Sequence, residues 1–91
     1  MQFEFDDAKN ASNLLKHGID LKDASYVFFD PKRLELADLR KDYGEDRRIL
    51  VGKVLDRVLV VVYTPRANVN RLISARKANE REQQKYHALC A

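Results

Sequence analysis

The residues of this sequence best suited to chemistry are arginines that no nearby acid neutralises. From Arg57 to Asn79 the chain contains no Asp or Glu, although it carries 14 of them in all. The cations of this acid-free segment are Arg57, Arg66, Arg71, Arg76 and Lys77. A guanidinium is a planar, permanently charged donor that matches phosphate oxygens. The pattern therefore indicates a site for a polyanion such as RNA or DNA.

The same arginines have a structural interpretation, in which they solvate a sheet edge or pair with acids that the fold brings near. Strand geometry also limits how many can act together. Because side chains alternate along a strand, Arg71 and Arg76 would lie on opposite faces of an unbent strand. We therefore expect Arg76 to act with Arg66, in the loop after the central strand, ahead of Arg71.

Groups that could move a proton near neutral pH are few, since the sequence has only two histidines, His17 and His87, and we assign no role to His87. His17 is either a proton donor or phosphate contact, or a last-turn residue that stabilises a helix C-terminus. Tyr63 either fills the core or, if it faces the arginines, donates to a leaving oxygen or stacks on a base. Glu45 and Asp46 either hold an arginine, act as a base, or form a solvated turn.

Length and composition favour a single domain over residues 1–91. The formal charge of +3 is mild because most cations are interspersed with acids. Cys90 is the only cysteine, which excludes a disulfide framework. No group of His, Cys, Asp and Glu has metal-ligand spacing, so we expect no metal and no cofactor. The chain is too short for separate cofactor and substrate domains.

The sequence also carries no signal for a membrane. Its first residues lack both the basic start and the apolar run of a signal peptide. The longest apolar run, from Val58 to Tyr63, is far too short to span a bilayer. We expect a cytoplasmic protein.

Hydrophobic periodicity predicts an α+β fold with the element order βααββββα. Two predicted helices follow a short strand through Phe3 and Phe5, with Asp6 and Asp20 as N-caps and Gly18 between them. The remaining elements are strands near Leu34–Leu36, Ile49–Val51, Val58–Thr64 and Arg71–Arg76, with a loop at 38–44 and a turn at Asp56–Arg57. Because the Val58–Thr64 run is apolar on both faces, we expect it to be central in an antiparallel sheet. Asn79 and Glu82 have capping-box spacing for a last helix.

These residues together resemble one known family. The stretches that carry the resemblance are Phe3-Glu4-Phe5-Asp6, Lys9, Asn13, Lys16-His17-Gly18-Ile19, Val27-Phe28, Asp30-Pro31, Glu45-Asp46-Arg47, Tyr63-Thr64, Arg66, Arg71, Ile73-Ser74-Ala75-Arg76, Glu82 and Tyr86. Their succession, covering nearly the whole chain, is similar to the BrnT toxins of bacterial type II toxin–antitoxin systems. Departures are small: Phe5 stands where the family usually has Trp, and Asn79 where it often has Thr.

The resemblance implies a RelE-like fold, a metal-independent endoribonuclease that blocks translation, and a BrnA-type antitoxin as partner. Such cleavage proceeds by attack of the ribose 2′-OH on the adjacent phosphate, and it needs a base, an acid and cations. We expect the antitoxin to form an even-numbered assembly with the toxin and to link it to operator DNA. The expected catalytic residues are Arg66, Arg76, Tyr63 and His17, and the expected RNA-binding residues are Lys16, Arg71, Lys77 and Arg57.

Two other function classes remain open from the sequence. One is a nucleic-acid-binding module without catalysis, and the other is a domain whose basic surface binds only an acidic protein. An RNA cleavage assay with and without chelator separates the first hypothesis from both.

Overall fold

The predicted order of elements is confirmed by the structure, a computed structural model that describes residues 2–90, without the side chain of Cys90. The elements are β1 (Gln2–Glu4), α1 (Asp7–His17), α2 (Leu21–Ala24) continued by a 3-10 helix (Ser25–Phe29), β2 (Leu34–Ala37), β3 (Arg48–Val54), β4 (Arg57–Arg66), β5 (Val69–Lys77) and α3 (Glu80–Cys90). No helix in this described part is long and apolar enough to cross a membrane.

The predicted helix boundaries are set by local capping. Asp6 accepts a hydrogen bond from the backbone N–H of Lys9 at 3.0 Å, which starts α1. Gly18 ends this helix at φ 69°, a left-handed conformation that a side chain would disfavour. Asp20 accepts from the N–H of Lys22 at 2.9 Å and starts α2 in the same way.

The sheet has five strands in the order β1-β5-β4-β3-β2. Strands β2 to β5 form the predicted antiparallel meander, with β4 central. The short β1 pairs in parallel with β5, so the sheet is mixed rather than wholly antiparallel. Helices α1 and α2 connect β1 to the opposite edge strand β2, which allows this parallel arrangement.

Two boundaries differ from the sequence-based expectation. The β3–β4 turn is Leu55–Asp56, with Leu55 at φ 56°, so Arg57 is the first residue of β4 rather than a turn residue. Strand β4 continues to Arg66, which pairs with Val69. Arg66 is therefore held by the sheet and does not lie in a free loop.

Helices cover both faces of the sheet and give it two separate cores. The α1 face packs against α1, α2 and the 3-10 helix, and its buried strand residues are Leu50, Leu59, Val61, Tyr63, Leu72 and Ala75. The α3 face packs against Tyr86 of α3 and against Ala78, which lies between β5 and α3, and its buried strand residues are Val51, Val58 and Val60. Strand β4 is buried on both faces, as its sequence predicts.

A β-bulge in β5 changes which side chains share a face. Val62 pairs with Ser74, but the next residue, Tyr63, pairs with Leu72, so Ile73 has no partner on β4. Residues of β5 before the bulge therefore lie on the face opposite to the one that simple alternation from Arg76 would give.

Arg71 therefore lies on the α3 face, paired with Thr64 one position beyond the buried Tyr63. Arg76 pairs with Val60, a residue of the α3-face core, and shares that face. The expectation that Arg71 and Arg76 lie on opposite faces was wrong, because it assumed a strand without a bulge.

One side chain of α1 hydrogen-bonds the backbone of β5 at the edge that β1 leaves unpaired. Asn13, buried, donates to the carbonyl oxygen of Ala75 at 2.9 Å and accepts from the N–H of Ala75 at 3.1 Å. It also donates to the carbonyl of Ile19 at 2.9 Å. The amide thus imitates a neighbouring strand where β1 has ended.

Candidate nucleic-acid interface

Cations and polar residues form a row across the end of the α3 face. Arg71 pairs with Thr64 on one side and with Glu4 on the other. Arg48 pairs with Tyr63, so the ladder sets the preceding residue, Arg47, beside Thr64. This row is built by register alone, which fixes the backbone of each cation.

Two acids orient the arginines at this end. Glu4 Oε1 lies 3.4 Å from Arg71 Nη1 and 4.0 Å from Arg66 Nη1. Glu45 Oε2 lies 3.4 Å from Arg66 Nη2, so Glu45 does hold an arginine, one of the roles considered for it. These exposed ion pairs add little stability, but they restrict where each guanidinium points.

The loop between β2 and β3 contributes two more arginines to the α3 face. Arg40 donates to both carboxylate oxygens of the buried Asp38, each at 2.8 Å. The hydrogen bonds from Arg40 lower the pKa of Asp38 from 3.8 to about 2. The Arg47 guanidinium lies 3.9 Å from the centre of the Tyr43 ring.

Arg76 occupies the other end of the face, beside the start of α3. Its two terminal nitrogens donate to the two carboxylate oxygens of Glu82 at 2.7 and 2.8 Å. These hydrogen bonds raise the pKa of Arg76 and lower that of Glu82. The guanidinium remains partly open to solvent, since 42% of its side chain is exposed.

An apolar groove of about 560 Å³ lies between these two groups of cations. Its floor is the sheet, and its lining includes Ile49, Val62, Ser74, Arg40, Arg76 and His17. Such a volume is within the range of small-molecule sites. The groove therefore offers an apolar surface with cations at its margins.

Two buried polar atoms of the row have no hydrogen-bond partner among the described residues. They are the hydroxyl oxygen of Thr64 and the Nε of Arg47. Thr64 is only 2% exposed and lies between Arg47 and Arg71. Unpaired buried polar atoms are uncommon, and here they coincide with the cation-rich row.

The structure brings Arg66, Arg71 and Arg76 together on the α3 face and places His17 at the edge of the groove. It does not place Tyr63 there. The Tyr63 ring lies in the α1-face core, 4.8 Å from the ring of Phe28.

The hydroxyl of Tyr63 donates to Glu35, which also lies 3.3 Å from Arg48. Burial, followed by the bond to Glu35, raises the pKa of Tyr63 to about 12. The expectation that Tyr63 lies beside Arg66 and Arg76 as a proton donor was wrong, because Tyr63 lies on the other face of the sheet. Asp46 holds an arginine, one of the roles considered for it, because its carboxylate lies 3.0 Å from Arg48.

Three expected RNA-binding residues lie elsewhere. Lys77 pairs with the core residue Leu59 and so lies on the α1 face. Arg57 lines a second cavity, of about 990 Å³, at the turn end of the sheet. Lys16 is exposed in the last turn of α1.

Sequence reasoning missed Arg40 and Arg47. Both lie in or beside a loop of alternating charges, where the sequence shows no periodicity that would assign a face. One signal was available for Arg47, which directly precedes the predicted strand. Extending the alternation of side chains back from Ile49 places Arg47 and Ile49 on the same face.

Within residues 2–90 no group of three or more His, Cys, Asp or Glu side chains is arranged to hold a metal ion.

The fold and the site define a small α+β domain with arginines gathered on one face of its sheet, an arrangement suited to a polyanion. The chain belongs to the BrnT family, the ribonuclease toxins of type II toxin–antitoxin systems, and the match covers residues 5–82. The resemblance carried by its motifs is thereby confirmed. Membership implies ribonuclease activity and an antitoxin partner. None of the curated proteins compared with the chain matches it.

Proposed function

We propose that this protein is an endoribonuclease that cuts RNA without a divalent metal, by attack of a ribose 2′-OH on the adjacent phosphate. One observation carries the proposal: the bulge in β5 places Arg71 on the same face as Arg66 and Arg76. The phosphorane-like transition state gains negative charge, and cations already fixed by strands stabilise it without reorganising.

The cations of the α3 face divide into two groups along the substrate. Arg71 and Arg76 are separated by about 14 Å along β5, allowing for the bulge, which corresponds to roughly four stacked nucleotides. We assign Arg76 to the reacting phosphate, because it borders the groove. We assign Arg66 and Arg71 to flanking phosphates. Lys16 and Arg57 lie away from this face and receive no RNA contact.

His17 is the proposed general acid, since it lines the same groove as Arg76. An imidazole can protonate the departing 5′ oxygen near neutral pH. A nucleobase of the RNA would pack against the apolar floor of the groove at Ile49 and Val62. The general base stays unassigned.

RNA cleavage at this site would inhibit translation and make the protein toxic to its host. A BrnA-like antitoxin would silence it in an even-numbered assembly, and would connect the complex to operator DNA. An acidic and apolar surface on the antitoxin would complement the arginines and the groove floor. RNA and antitoxin would then compete for one surface.

The first prediction concerns Arg76. Arg76→Ala should lose about 3 kcal/mol of transition-state stabilisation in RNA cleavage, as expected for one preorganised donor. Arg76→Lys should recover little, because it keeps the charge but not the planar fork. Lys53→Ala is the matched control: it removes an exposed cation at the turn end of the sheet.

Cleavage rates are to be measured on a short RNA, with and without EDTA. Unchanged cleavage by Arg76→Ala and Arg66→Ala would contradict the assignment of these residues. Activity lost in EDTA and restored by magnesium would contradict the metal-independent mechanism. RNA binding without cleavage by the unmodified protein would favour a non-catalytic binding module instead.

A further inference from the structure

The ion pair between Arg76 and Glu82 occupies only one edge of the guanidinium. Nη1 donates to Glu82 Oε1 at 2.7 Å and to the carbonyl oxygen of Lys77 at 3.3 Å. Nη2 donates to Glu82 Oε2 at 2.8 Å. Glu82 therefore binds the end of the fork, where the two terminal nitrogens point outward.

A guanidinium has five N–H donors, and these contacts use three of them. The remaining two are the Nε–H and the second Nη2 hydrogen, which lie side by side on the lateral edge. Within residues 2–90 the Nε–H of Arg76 makes no hydrogen bond. Two parallel donors on one edge match two oxygens of a phosphate.

Glu82 is itself held by the start of α3. Its carboxylate accepts from the N–H of Asn79 at 2.9 Å, and its own N–H donates to Asn79 Oδ1 at 2.8 Å. In this reciprocal capping box, which the sequence predicts, the backbone N–H of Asn79 holds the carboxylate and the side chain of Asn79 caps the helix. The carboxylate that binds Arg76 is therefore held by a backbone N–H, which does not depend on the Asn79 side chain.

We infer that Glu82 is a positioning residue for RNA cleavage: it holds Arg76 by the end of its fork, so that the lateral edge faces the scissile phosphate. The inference rests on the proposed function of Arg76. An acid beside a phosphate site would ordinarily weaken RNA binding, so a positioning role predicts opposite changes in binding and in rate.

The informative variant is Glu82→Gln. Glutamine also serves in capping boxes, so α3 should still start at Asn79, while the fork loses one acceptor and the negative charge. Asn79→Ala is the matched control, because it removes the capping side chain and leaves the ion pair. Circular dichroism and thermal unfolding should show that both variants remain folded.

We expect single-turnover cleavage by Glu82→Gln to fall roughly tenfold to a hundredfold, as for a misplaced catalytic group. Its affinity for a non-cleavable RNA carrying a 2′-deoxy group at the scissile position should be equal or higher, because a negative charge has been removed. Asn79→Ala should cleave at nearly the normal rate.

A double-mutant cycle separates positioning from other roles. In an Arg76→Ala background, adding Glu82→Gln should cause no further loss of rate. An equal loss there would show that Glu82 acts independently, for example as a base, and would overturn the inference. Faster cleavage by Glu82→Gln would make Glu82 a blocker of Arg76 and would also overturn it.

Comparing the two single variants tests the roles of Arg76 and Glu82 separately. If Arg76→Ala cleaves less and Glu82→Gln cleaves normally, the positioning role is wrong and the arginine site stands. If Arg76→Ala cleaves normally, both are wrong.

Discussion

A carboxylate beside an arginine reduces the charge of a surface, but it also fixes the direction of the guanidinium. Four carboxylates beside the α3-face arginines have this second effect. Glu4 orients Arg66 and Arg71, Glu45 orients Arg66, Asp38 orients Arg40, and Glu82 orients Arg76. Arginine side chains lose substantial rotamer freedom when they bind a ligand. Side chains already held by acids lose less, which favours a site organised before RNA arrives.

Asp38 gives a residue-level prediction for pH dependence. Its pKa is lowered from 3.8 to about 2 in the folded state. A lowered carboxyl pKa contributes stability that is complete above 3.8 and is lost as the pH falls towards 2. The unfolding free energy of the unmodified protein should therefore exceed that of Asp38→Asn near neutral pH, and the difference should shrink across this acidic range.

Urea unfolding at several pH values measures that difference. Asp56→Asn is the control for removing one negative charge, since Asp56 is exposed in the β3–β4 turn. A difference that stayed constant down to pH 2 would show that the bond from Arg40 does not stabilise the fold.

At the scale of elements, Asn13 joins α1 to the sheet. Asn13→Ala should lower the free energy of unfolding by on the order of 3 kcal/mol, because it leaves the N–H and C=O of Ala75 unpaired in a buried place. Ser12→Ala, an exposed change in the same helix, should stay within about 0.5 kcal/mol. Denaturant unfolding compares them, and equal effects would mean that the edge of β5 is open to water.

Elements whose limits depend on neighbouring residues could be predicted from the sequence. The caps at Asp6 and Gly18 and the capping box of Asn79 and Glu82 are local signals, and all three occur in the structure. The parallel pairing of β1 could not be predicted, because its partner lies more than 60 residues away. In addition, β1 has only three residues, too few for a hydrophobic pattern to indicate which edge of the sheet it joins.

The bulge at Ile73 had the largest consequence for the candidate site. Nothing in the sequence around it, neither glycine nor proline, marks an extra residue in a strand. The pairing with β4 reveals it, since Leu72 and Ala75 are both buried on the α1 face at a spacing of three. Residue types predicted three cations of the site, Arg66, Arg71 and Arg76, whereas the tertiary register decided which cations share a face.

At the scale of the whole molecule, a formal charge of +3 is too small to explain binding to nucleic acid by itself. What matters is placement, because five arginines share the α3 face. Four of them are paired with acids, and these ion pairs hold the guanidinium groups in fixed positions. The apolar groove adds a low-dielectric floor between them, where the field of fixed cations is screened less than at an exposed surface. Association should still depend on salt concentration, because each phosphate that an arginine neutralises releases counterions from the RNA.

The last prediction uses this response to count phosphate contacts. If Arg66, Arg71 and Arg76 each neutralise one phosphate of a single strand, the logarithm of the RNA association constant should fall with the logarithm of salt concentration at a slope of about −2. Arg71→Ala should make the slope shallower by about 0.7, and Lys53→Ala should leave it unchanged. Fluorescence anisotropy with the non-cleavable RNA measures these slopes. A slope that Arg71→Ala did not alter would mean that the bulge brings Arg71 to the α3 face without bringing it to the RNA.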